Sequence, residues 1–214
     1  LSYGDEQGAA FTVTHRGAFN EYRKYGMKMG FAGHQALFYK GAYASGYHPF
    51  GGNPGDQNRV RKWTDMGDSI IGFYATQHTG SENPQFIRRQ NGLVGYFNNV
   101  NMNMNYLFAF GPWNDLDAEL YKPMVVAYRN YGGLVDTLQY EGFREAVNDI
   151  RYITKLKLLI REAENSSNFE AKTQARQALQ YLALLKPETC DLNATRAEVI
   201  EYILKLMKVM NKKG

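Results

Sequence analysis

Residues 3–8 read Tyr-Gly-Asp-Glu-Gln-Gly, so two carboxylates stand side by side between glycines. A carboxylate pair is the equipment of general acid/base chemistry. In a regular strand adjacent acids point to opposite faces and would not share a site. Where a strand ends the backbone leaves the sheet, and both side chains can then reach one mouth. Barrel enzymes place their catalytic groups at that end, and Gly4 and Gly8 give the chain room to turn. Asp5 and Glu6 are therefore the candidate catalytic residues, although the same dipeptide also suits a surface turn or a helix start.

A second group of residues suits a sugar. Tyr74 ends a clear apolar run, and with Tyr106 and Trp113 it offers aromatic walls on which a pyranose face stacks. Asn98 and Asn114, with Asn99 beside the first, offer amide hydrogen bonds, and His34 follows a predicted strand directly. Each of these also suits ordinary packing or turn chemistry. Neither His34 nor His78 pairs with a Cys, Asp or Glu at ligand spacing, so no metal is expected, and no cofactor. Gly51-Gly52-Asn53-Pro54-Gly55 lacks the Lys-Ser/Thr ending of a phosphate-binding loop and reads as a plain loop.

The elements that would position these groups alternate through the first two thirds of the chain. Leu1–Gly4 reads as the tail of a strand. Thr14–Tyr25 reads as a helix stopped by Gly26, and Met27–Ala32 as a strand. After a Gly-, Tyr- and His-rich stretch with a short strand near Tyr47, Arg59–Met66 suits a helix and Ser69–Thr76 a buried strand. Asn83-Pro84 opens another helix, and Asn105–Gly111 is a further strand. Strand and helix alternating at this spacing predict parallel βα units.

Past Gly132-Gly133 an extended run, Leu134–Gln139, leads into a strongly amphipathic helix over Glu141–Ala163. A second helix covers Phe169–Leu185. Thr195-Arg196-Ala197-Glu198 has the form of a capping box opening a third. Residues 1–163 are accordingly expected to form the C-terminal part of a (β/α)8 TIM-type barrel, and residues 164–214 a helical hairpin appended to it. A first residue that is leucine, together with too few strands to close a barrel, suggests a piece of a larger enzyme.

Composition narrows the classes. Of 214 residues 44% are hydrophobic and 21% charged, which is globular rather than disordered. The net charge is only +4 and the basic residues are spread out; the densest group, Lys205, Lys208, Lys212 and Lys213, suits a helix C-terminus, so no nucleic acid is expected. Cys190 is the only cysteine, which precludes an intrachain disulfide. That fits a reducing compartment, and equally a bacterial secreted or periplasmic hydrolase. No apolar run approaches the roughly 18 residues of a membrane span.

Several segments together resemble a known group: Tyr3-Gly4-Asp5-Glu6; Glu82-Asn83-Pro84 with Arg88-Arg89 and Gly92-Leu93; Trp113-Asn114-Asp115; and Gly133–Leu138 running into Glu141–Tyr152. The series is similar to the catalytic domain of glycoside hydrolase family 123 and the related domain of unknown function 4091, over most of residues 1–160. Its most specific stretch, Phe143-Arg144-Glu145, suits a structural role. One departure is Ala146-Val147-Asn148-Asp149, where Gly-Ile-Asp-Asp or Gly-Ile-Glu-Asp would be expected.

The resemblance implies hydrolysis of N-acetylhexosaminides, of the N-acetylgalactosamine type, with retention and with the substrate's own 2-acetamido group as nucleophile. Glu6 would then be the general acid/base and Asp5 the residue that orients the acetamido group. The neighbouring Asp5 charge would raise the Glu6 pKa towards neutrality. A glycosidase-like protein of other sugar specificity, or a carbohydrate-binding module without turnover, are the alternatives.

Overall fold

The structure, a computed structural model, describes residues 9–27, 30–32, 48–50, 72–73, 83–100, 102–103 and 126–211. The helix expected over Thr14–Tyr25 is present as α2 (Arg16–Lys24), and a further short helix outside that expectation, α1 (Ala9–Thr14), precedes it. The Thr14 hydroxyl donates back to the carbonyls of Ala10 (3.2 Å) and Phe11 (3.0 Å), a side-chain bond that competes with the helical ladder and bends it. The Phe11 ring stacks on His15 with centroids 4.1 Å apart, and Phe19 is buried. Gly26, at φ +72°, ends α2 as expected, its N–H donating to the Arg23 carbonyl.

Four very short strands pair parallel in chain order: β1 (Gly30–Ala32), β2 (His48–Phe50), β3 (Gly72–Phe73) and β4 (Met102–Asn103). Gly30 lies opposite His48, Phe50 opposite Gly72, and Gly72 opposite Met102. Between β3 and β4 runs α3 (Pro84–Arg89), which passes through a π-helical turn (Gln90–Val94) into α4 (Gly95–Phe97). The Asn83 side chain accepts from the Phe86 N–H at 3.0 Å and Pro84 occupies the first turn, the helix start read from this dipeptide.

β5 (Ala127–Asn130) and β6 (Gly133–Asp136) form an antiparallel hairpin. Its turn is held by the Asn130 side chain accepting from the Gly132 N–H at 2.9 Å, with Gly133 at φ +140°, a conformation that favours glycine. Thr137 then caps α5 (Leu138–Asn165), accepting from the Tyr140 N–H (3.2 Å) while its hydroxyl donates to the Val126 carbonyl (2.8 Å).

Asn168 caps α6 (Phe169–Leu184), accepting from the N–H groups of Glu170 and Ala171, and its amide donates to the Val209 carbonyl at 3.0 Å. α7 (Leu192–Asn211) is capped by Asp191, whose carboxylate accepts from the N–H groups of Asn193 (2.9 Å) and Ala194 (2.8 Å). Thr195 and Arg196 therefore lie inside the helix, not at its start. Asp191 reaches the first N–H groups of α7 and fixes its origin upstream of the Thr195 motif.

The main core is formed by these three helices. Ile153, Leu156, Ile160 and Ala163 of α5 meet Ala171, Ala175, Ala178 and Leu182 of α6, and Val199, Ile203, Leu206 and Val209 of α7. The alanine stripe of α6 removes bulk where helices meet, so they approach closely at little side-chain entropy cost. Leu93 enters the same core from the π-helical turn.

This architecture overturns the expected (β/α)8 barrel portion. The described residues are mostly helical, the helices pack on one another, and the parallel pairings extend over no more than three residues per strand. The strands of four residues are the antiparallel pair β5 and β6. Leu134–Gln139, read as extended, is strand only as far as Asp136, and that strand pairs with the segment just before it through a tight glycine turn; Leu138 and Gln139 already belong to α5. Ser69–Thr76 is described only at Gly72–Phe73, and Asn105–Gly111 lies outside the described residues.

Candidate functional site

Asp5, Glu6, His34, Tyr74, Tyr106, Trp113 and Asn114 lie outside the described residues, as does His78. Asn98 is described. It follows α4, its N–H donating to the Val94 carbonyl (3.1 Å), and Asn99 after it turns the chain at φ +58°. The Val100 N–H closes that turn on the Gly95 carbonyl at 2.9 Å, so the backbone beneath Asn98 is held from both sides. Asn98 is 4% exposed, and among the described residues neither its amide nitrogen nor its amide oxygen has a hydrogen-bond partner. A buried amide left unpaired costs on the order of 1–3 kcal/mol. Asn99, in contrast, is exposed.

The other polar centre in the described residues was not read from the sequence. Arg88 of α3 is buried and donates to both carboxylate oxygens of Asp149 on α5, at 2.7 and 3.1 Å. Its Nη1 donates to the Asn193 side chain (2.6 Å), and Nη2, which also bonds Asp149, donates to the Leu192 carbonyl (3.2 Å). Arg89 donates to the carbonyls of Pro187 (2.7 Å) and Cys190 (2.8 Å). Two adjacent arginines of α3 thus hold the start of α7 (Arg88) and the segment between α6 and α7 (Arg89).

Arg196 of α7 completes the cluster. Its Nε donates to Asp149 at 2.6 Å, and its other nitrogens donate to the Glu145 carboxylate and to the Glu145 carbonyl (3.0 Å). The hydrogen bond from Arg196 holds the Glu145 carboxyl below its ordinary pKa, against the opposing effect of burial. Asp149 is 4% exposed and accepts from two guanidinium groups. The carboxylates and guanidinium groups here are engaged with one another, so the chemistry of the cluster is that of a clasp joining α3, α5 and α7.

Backbone contacts bring the same elements close. A Cβ on Gly142 would lie 2.4 Å from the Pro84 carbonyl oxygen, and one on Gly92 would lie 3.3 Å from Cα and Cβ of Ala146. The Phe143-Arg144-Glu145 stretch divides its roles: Arg144 pairs with Glu141 on the surface, and Glu145 with Arg196 in the clasp. One sequence signal could have found the clasp. Asp149 falls in register with Gly142, Ala146 and Ile153 on the buried stripe of α5, where a lone carboxylate requires a partner.

Among the described residues no group of three or more His, Cys, Asp or Glu side chains is arranged to hold a metal ion, and no helix is long and apolar enough to cross a membrane. The chain matches no protein-family model and no curated protein sequence.

Proposed function

We propose that the protein is a glycoside hydrolase-like enzyme that cleaves N-acetylhexosaminides, of the N-acetylgalactosamine type, by retaining, substrate-assisted hydrolysis. The observation that carries this reading is the Asp5-Glu6 carboxylate pair together with the motif series that accompanies it in the sequence; two segments of that series also meet in the structure. Asn83-Pro84, Arg88 and Gly92 pack against Gly142, Ala146 and Asp149 through two glycine approaches and a buried ion pair. These contacts are the packing of the scaffold, and the carboxylate pair at Asp5 and Glu6 belongs to the same motif series in the sequence.

The chemistry requires only that both carboxylates reach one bound sugar. Glu6, protonated, gives its proton to the glycosidic oxygen as the acetamido carbonyl oxygen attacks the anomeric carbon and the leaving group departs. Asp5 accepts from the acetamido N–H and stabilises the oxazolinium charge. The Glu6 carboxylate then takes a proton from a water that opens the ring at the anomeric carbon, which restores the acetamido group with the original configuration. Tyr74, Tyr106 and Trp113 would stack on the sugar, while Asn98, Asn114 and His34 would hydrogen-bond its hydroxyls.

A second reading, carbohydrate binding without turnover, draws on Asn98, whose amide has no hydrogen-bond partner among the described residues and would serve a sugar without any carboxylate. Chromogenic N-acetyl-β-galactosaminide and the matching non-acetylated galactoside separate the two. Cleavage of the acetylated substrate alone supports substrate assistance. Sugar affinity that is lost in Tyr74→Ala and unchanged in Glu6→Gln, with no cleavage of either substrate, supports binding alone.

A further inference from the structure

We draw no further inference here: the strongest candidate, the buried Asn98 carboxamide where α4 ends, already belongs to the proposed sugar site, and nothing among the described residues shows what else it would bind.

Discussion

At Asp149 the nitrogens of two arginines converge on one buried carboxylate. Burying a paired charge gains little over an apolar substitute, but removing one partner strands the others in a low-dielectric interior. Asp149→Ala should therefore cost about 3–5 kcal/mol in urea unfolding, whereas replacing Arg88, Asp149 and Arg196 together with apolar residues of similar volume should cost far less. Glu145 gives the same cluster a pH dependence. Its folded pKa lies below the ordinary 4.5, so its contribution is present above that value and is lost as pH falls through the lower folded pKa. Wild type should accordingly exceed Glu145→Gln in stability at neutral pH, and the gap should close below pH 4.5, as thermal melts across pH would record. The clasp was only partly legible in the sequence. The Arg88-Arg89 pair and the position of Asp149 on an apolar stripe are both visible there, but nothing in the spacing says that Arg196, 47 residues on, is the third member.

Helix caps carried the element-scale information. Asn83-Pro84 and the break before Phe169 marked starts that the structure reproduces, because a side-chain acceptor placed just before a helix satisfies N–H groups that have no other local partner. The Thr195 motif misled for the same physical reason: Asp191 is as good an acceptor and lies upstream. Strands were read less well. Alternation shows that a segment is extended but not which segment it pairs with, and Leu134–Asp136 found its partner next door. Two substitutions test the helical account. Leu156→Ala, at the centre of the three-helix core, should cost about 2–5 kcal/mol. Asn168→Ala, which loses both the cap of α6 and the bond to the Val209 carbonyl, should cost about 0.5–2 kcal/mol. Both are read from equilibrium unfolding midpoints.

For the molecule as a whole, α5, α6 and α7 share one core and the ion cluster ties α3 to α5 and α7, so these helices should open together. Hydrogen exchange should show the slowest amides across 153–163, 171–182 and 199–209, with the surface helices α1 and α2 exchanging much sooner; a uniform profile would contradict this. The candidate sugar site was legible only as residue types. Asn98 is buried with no hydrogen-bond partner for its amide among the described residues, and a side chain's need for a partner is a property of its surroundings that spacing alone does not carry. The claim on which the functional account turns is that Glu6 moves the proton. The most direct measurement is kcat on N-acetyl-β-galactosaminide for the wild-type protein and for Glu6→Gln, with the fold of each checked by circular dichroism. Loss of a general acid/base should lower kcat by about 10²–10⁴-fold in the folded variant; equal turnover by the two proteins would contradict the account.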